Sequence, residues 1–391
     1  MLSPEGCGKP FGMMHRRRLV ASLATLGGLA ALPVPALARL ATPFDLKGLV
    51  AKEQVPALGV IVVTSTEIKH LEVQGHRRLG GVAPVTVKDS WAFGDHTMGL
   101  TSAIFARLVE GGRLGWNARL ESLSPTLPGI SAAWRTATVE TFLAHRSGLD
   151  DTSLITQAWL AQRQADRRPA RVQRAELLAQ VLAGEPGARP GEFLPGRTNY
   201  MVAAALLEHV SGQTYEDLAK SEAFDWWGAT DAGFGAPLGD APLGHRRLAS
   251  GGLEPVAAGG GADAPAILNP ASGAHMTLSE YGRFLQLLLS DGGGWLKPAS
   301  LSHLARPWDK SPTGYGLGWR FSDDAEWAKG PLLTQEGGDA AWQAQAVLAP
   351  GRDLGIIAVA NADSDHACRA AIDAAVKSFA QDAPVFNELK F

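Results

Sequence analysis

The chain has 391 residues, 46% of them hydrophobic and 19% charged, with a formal net charge of −3. That balance describes a folded globular chain, and the near-neutral charge leaves no basic footprint for nucleic acid. Two cysteines, Cys7 and Cys368, are too few for a disulfide framework. The length exceeds what one compact core usually holds, so two lobes are expected.

Residues 1–38 read as a targeting segment. Arg16-Arg17-Arg18-Leu19-Val20 resembles a twin-arginine export signal. An apolar run from Leu19 to Leu32 follows, and Ala36-Leu37-Ala38 supplies a small-x-small cleavage site before Arg39. A run of that length is too short to span a bilayer comfortably. The mature chain, 39–391, is therefore expected in the periplasm or outside the cell with no membrane span. The alternative is a basic start on a buried or membrane helix, and Met13 or Met14 are alternative starts. Cleavage would leave 32 basic against 38 acidic residues and Cys368 as the sole thiol. Ala57 to Val63 and Ile68 to Gln74 are β-rich runs joined by a polar turn, which reads as a hairpin.

Trp91 to Gly112 organises the rest. Leu100, Ile104 and Leu108 recur at four-residue spacing, Ala103, Phe105 and Val109 widen the apolar face, and Gly111-Gly112 stops the helix. With Phe93-Gly94 before it and Glu110-Gly111-Gly112-Arg113-Leu114 after it, this stretch resembles the first motif of the serine β-lactamase and penicillin-binding-protein-like family, F-x-x-G-S-x-x-K followed by an apolar helix ending E-x-G-x-L. In S-x-x-K the three-residue spacing places a nucleophilic serine and its lysine base on one helical face. Here the serine position holds Asp95 and the lysine position Met98. Methionine has no titratable group, whereas Asp95 at a helix start is suited to capping.

The later motifs follow the same frame. Residues 138–149 match the family's helix ending H-T-S-G-L, and His145 reads as a packed, hydrogen-bonded histidine rather than a catalytic one. Arg163, Arg167, Arg168, Arg171 and Arg174 read as a solvated helix face, with an anion-binding patch as the alternative. Pro190-Gly191-Glu192-Phe193 opens the second motif, and Tyr200 and Val210-Ser211-Gly212 align. The Tyr-Ser-Asn positions then fall on Pro195, Gly196 and Arg197. Arg197 carries a permanent cation that cannot act as a base.

Gly228 to Gly235 reads as a turn, and the Gly-, Ala- and Pro-rich forty residues after it as loop. Thr277-Leu278-Ser279-Glu280 is a capping box. Tyr315-Gly316-Leu317-Gly318-Trp319 matches the family's Y-G-L-G-W. Trp342 to Leu348 and Leu354 to Ala360 read as strands, the first of them half-buried. Gln335-Glu336-Gly337-Gly338 occupies the third motif, where the family has H-x-G-G or K-T-G. Gln335 lacks the cationic or titratable group, while the glycines let backbone approach a ligand closely.

The resemblance implies an α/β (α+β) fold of the β-lactamase/transpeptidase type. An antiparallel sheet from both chain ends (45–94 and 270–380) is flanked by helices, with a mainly helical lobe inserted at 95–269. With the motif positions Asp95, Met98, Pro195, Arg197 and Gln335 all changed, the expected protein is a non-catalytic one. Its cleft would bind a small-molecule or peptidoglycan-like ligand, or a periplasmic protein, through Asp95, His96, Arg197, Gln335, Gly337 and Gly338. The alternative is a hydrolase of esterase, D-amino-acid peptidase or β-lactamase type with relocated catalytic residues. Ser102, two helical turns past Asp95, and Thr66 with Lys69, in the hairpin turn, are the available but poorly placed hydroxyls. A metal site from Asp95, His96 and Glu336 has no ligand spacing behind it, so no metal or cofactor is expected.

Overall fold

The run A-L-G-V-I-V-V, Ala57–Val63, is buried at every position, which requires cover on both faces of its sheet. Alternate residues face opposite ways. Leu58, Val60 and Val62 pack with Ala367, Cys368, Ala371 and Ile372 of the helix Asp365–Phe379. Ile61 and Val63 join the larger core that includes Phe284 and Leu285 of the helix Leu278–Leu289. The result is a sheet between two helical layers. The computed structural model describes residues 44–123, 129–257, 264–308, 313–323, 325–339 and 341–380; the leader and the Gly259-Gly260-Gly261 run lie outside them.

The described strands are β1 (Ala57–Val63), β2 (Ile68–Gly75), β3 (Ser90–Ala92), β4 (Gly233–Phe234), β5 (Gly244–Arg247), β6 (Leu253–Val256), β7 (Ala274–Thr277), β8 (Thr313–Tyr315), β9 (Arg320–Ser322), β10 (Leu332–Asp339), β11 (Trp342–Ala349) and β12 (Leu354–Ala360). The main sheet runs β2-β1-β12-β11-β10-β9-β8 and its neighbours pair antiparallel. The first hairpin therefore locks onto the last strand, with Ile61 opposite Ile357. A small sheet, β3-β7-β4, sits beside it. Thr277 and Glu280 form the expected capping box at the start of Leu278–Leu289.

Three expectations change. Beyond Trp342–Leu348 and Leu354–Ala360, the main sheet also takes in β10 and the short β8 and β9. β11 is buried on both faces, Gln345 included, since helices cover both sides. The Gly- and Pro-rich stretch holds the β5–β6 hairpin, anchored where buried His245 accepts from the Leu79 amide through Nε2 and bonds the Asn361 carbonyl through Nδ1.

The arginine run also differs from a uniformly solvated face. Arg168 is exposed and pairs with Asp166 and Glu176, but Arg174 is fully buried. Its guanidinium bridges Glu208 at 2.6 Å and Glu216 at 2.8 Å, donates to the Ala266 carbonyl and lies over the Tyr215 ring. Burial opposes its charge, yet the two carboxylates raise its pKa. Arg171 donates to the carbonyls of Glu208 and Gly212 at the end of the helix Arg197–Ser211. These cations are committed to carboxylates and carbonyls, which removes the anion-patch reading for them.

Candidate functional site

The helix Thr97–Glu110 is buried through most of its length, and the turn Gly94–His96 leads into it. Gly94 has φ +54°, and a Cβ there would lie 2.7 Å from the Gly338 backbone. The turn and β10 are thus in backbone contact, a closeness that glycine alone permits. Gly337 approaches Asp95 in the same way. Asp95 consequently sits at the seam between the sheet and the helical region.

Arg197, the first residue of the helix Arg197–Ser211, crosses that seam. Its Nε donates to Asp95 Oδ1 at 2.8 Å, and its Nη2 donates to the Gly338 carbonyl at 3.0 Å. Asp151 holds the helix start from the other side, accepting from the Arg197 and Thr198 amides at 2.6 and 3.1 Å. Burial pushes the Asp95 carboxyl up, against the pull of the guanidinium. Burial also opposes the Arg197 charge, but Asp95, Asp339 and Asp151 hold it on. Asp339, which accepts from the Ala341 and Trp342 amides, is pushed up to about 6 by burial.

Two cavities meet at this arginine. One, of about 510 Å³, is lined by Asp95, Met98, His145, Arg320, Thr334 and Glu336 among others. The second, of about 630 Å³, is lined by Leu160, Ala161, Leu268, Asp339 and Ala341. Arg197 lines both. Volumes of this size suit small organic or peptide ligands.

Buried aromatic groups and a histidine sit at the wall of the first cavity. His145 is buried, edge-on to Phe193 and tilted against Tyr200 and Tyr315, and accepts at Nδ1 from the Gly196 amide at 3.3 Å. Burial pulls its pKa down to about 3, so the ring is neutral at ordinary pH. It is packed and hydrogen-bonded, as the sequence reading expects. Tyr200 donates to the Leu143 carbonyl at 2.8 Å, and burial pushes the phenols of Tyr200 and Tyr315 up, so neither supplies a phenolate base. Met98 is nearly buried on the cavity wall.

Among the expected ligand residues, Asp95, Arg197 and Gly338 are brought together in one bonded unit, with Gly337 against it. Two others are placed differently. His96 does not line either cavity; it is buried, with Nδ1 bonded to Tyr281 Oη at 2.9 Å, and burial pulls its pKa down to about 4. Gln335 contributes to the cavity wall, but its amide is spent inward: Oε1 accepts from Tyr281 and Nε2 donates to the Gly318 carbonyl. The helical pitch carries His96 round to the core, and the strand's alternation sets Gln335 against the central helix while Glu336, on the other face, bonds Gln345 and pairs with Arg369. Pro195 lines the cavity beside Gly196.

The relocated candidates fare no better. Ser102 is buried against Tyr200 Oη at 3.4 Å, and Lys69 pairs with Glu67 in the hairpin turn. Among the described residues no cluster of three or more metal-ligating side chains occurs, and Glu336 bonds Gln345. Asp151, Arg320 and Asp339 were missed because they lie outside the three motifs, and only the Asp150-Asp151 pair after S-G-L hinted at a cap.

A sheet closed by both chain ends, with a cleft at the start of its buried central helix, defines the architecture of serine-reactive penicillin-recognising hydrolases. A β-lactamase family model matches residues 45–381, and the chain belongs to that family. Its fold is similar to that of the octameric penicillin-binding protein homologue from Pyrococcus abyssi, at 17% identity over 86% of this chain and 77% of that one, TM-score 0.69. It is also similar to a D-stereospecific amidohydrolase from Streptomyces sp., at 19% identity over 82% and 93%, TM-score 0.64. EstCE1, a hydrolase with promiscuous acyltransferase activity, is similar at 15% identity over 86% and 96%, TM-score 0.69. No curated protein sequence matches the chain.

Proposed function

We propose that this β-lactamase-family protein is an exported, non-acylating member whose cleft binds a peptidoglycan-like peptide without cleaving it. The observation that carries this reading is the bond from Arg197 Nε to Asp95 Oδ1, reinforced by Nη2 on the Gly338 carbonyl. In this reading Asp95 and Met98 stand where the family has its serine and lysine, and Arg197 and Gln335 where it has an amide and a titratable group. A carboxylate already bonded to a guanidinium is a poor nucleophile, and Met98, at the position of the family's lysine, offers it no base.

Ligand binding is supported by what remains accessible. Arg320 is exposed on the cavity wall next to Thr334 and has no acidic partner among the described residues. Such a cation suits the carboxylate of a peptide. Titration calorimetry with a D-alanyl-D-alanine peptide should give saturable binding, with the peptide recovered intact and the affinity reduced about tenfold in Arg320→Ala. Hydrolysis of the peptide, or binding indifferent to Arg320, would contradict the reading. Export is tested separately: protein from the envelope fraction should begin at Arg39, and an intact leader on cytoplasmic protein would overturn that part.

A further inference from the structure

A groove of about 500 Å³ between the turn at Asp225–Gly228 and the helix Leu278–Leu289 shares no residue with either cavity at Arg197. Its floor is built by the sequence Lys220 to Gly228. A π-helical turn, Lys220–Phe224, runs into the short turn Asp225–Trp227, and left-handed Gly228 ends it. Such π turns recur at functional sites. Phe224 and Trp227, three apart, face inward, and Trp227 packs on Phe284 and Trp295 at ring distances of 5.4 and 5.0 Å. Trp226 between them must point out. Trp226 is 43% exposed, which leaves a large hydrophobic residue against water.

The residues around that ring are polar and only half used. Arg283 donates Nη1 to the Trp227 carbonyl at 3.1 Å, leaving Nε and Nη2 without partners among the described residues. Gln286 donates Nε2 to the Thr64 carbonyl at 3.1 Å, leaving its Oε1 as an acceptor. Asp225 is paired through Oδ1 with Lys220, and its Oδ2 has no described partner. Ser65 and Ser290 complete the rim. Donors and acceptors are therefore interleaved around one flat aromatic face, and the local charges nearly cancel. A lipid tail would leave these polar groups unsatisfied, and a strongly charged ligand would find too little opposite charge. A ring with one apolar face and a girdle of hydroxyls satisfies both parts.

We propose that this groove is a saccharide-binding site, in which Trp226 stacks on a pyranose ring and Arg283, Gln286 and Asp225 bond its hydroxyls. The proposal is independent of whether the Asp95 cleft is catalytic. Its test is titration calorimetry of the mature chain with cellotriose and chitotriose, neutral β-linked trisaccharides. At least one should bind at a single site, undisplaced by the D-alanyl-D-alanine peptide. Trp226→Ala should weaken that binding about tenfold or more with the melting temperature unchanged, Trp226→Phe should retain part of it, and Gln286→Ala should weaken it several-fold. Failure of both sugars to bind, or equal binding by Trp226→Ala, would overturn the proposal. So would Trp226-dependent binding to anionic lipid vesicles without sugar binding, which would give the groove to a membrane surface.

Discussion

Asp95 and Arg197 turn the seam between the sheet and the helices into a partition between cavities, and the groups packed around them tie the fold to pH. In the unfolded chain a histidine titrates near 6.5 and an aspartate near 3.9. Burial holds His96 and His145 at about 4 and about 3, so their neutral forms are favoured by the fold. That stability is present above about pH 6.5 and is lost as pH falls toward those values. Asp339, pushed up to about 6, acts oppositely, since the fold favours its protonated form and gains stability as pH falls from 6 toward 4. Two histidines outweigh one aspartate. These three groups together should lower stability by roughly 2–3 kcal/mol from pH 7 to pH 5, because each proton bound by only one of the two states is worth about 1.4 kcal/mol per pH unit; His245 and His275, also pulled down by burial, add to the loss and Asp95, pushed up, opposes it. The check is the melting temperature against pH for wild type and Asp339→Asn. The variant should melt higher at pH 7.5 and lose stability more steeply on acidification. A flat profile in both proteins would contradict the assignment of these burials.

At the scale of elements, the helix Arg197–Ser211 is held at its start by Asp151 and tied by Glu208 to buried Arg174. Removing the Arg174 side chain leaves the Glu208 carboxylate, 2% exposed, largely uncompensated. Arg174→Ala should cost roughly 3–5 kcal/mol in urea unfolding, whereas Arg168→Ala, in an exposed pair, should leave the midpoint nearly unchanged. Equal effects would mean the run is a uniform face after all. This contrast was invisible in the sequence because Arg174 and Arg168 look alike there, and the partner that buries Arg174 lies 34 residues on. Elements with local signals were legible: the four-residue repeat of Leu100, Ile104 and Leu108, the Thr277–Glu280 cap, and the β1–β2 hairpin. β5 and β6 were not, because G-H-R-R and L-E-P-V lack an apolar alternation and pair at the margin of the fold. That His96 and Gln335 turn their side chains inward was not legible either, since facing depends on which side of a helix or strand meets the core.

Over the whole molecule, the frame motifs carried the architecture. They placed the sheet from both ends and the Y-G-L-G-W turn, where Gly318, at φ +89°, lies against Gly99 of the central helix. What they could not show is that Asp95 and Arg197 interact. The aspartate and the arginine, 102 residues apart in sequence, compensate one another across the cleft. That compensation is the reason a partial repair of the first motif should fail. In Asp95→Ser with Met98→Lys the arginine loses its partner and the new lysine enters a cavity that already holds a guanidinium, which repels it. Grouped catalytic residues act as a unit, so restoring two recovers little.

The most direct measurement is intact-mass spectrometry after incubation with a fluorophosphonate and with penicillin, on wild type and on the double change. The account predicts unmodified mass for wild type and no more than trace adduct for the double change. A stoichiometric adduct on any wild-type serine, or prompt acylation of the double change, would contradict the claim that this cleft has been given over to binding.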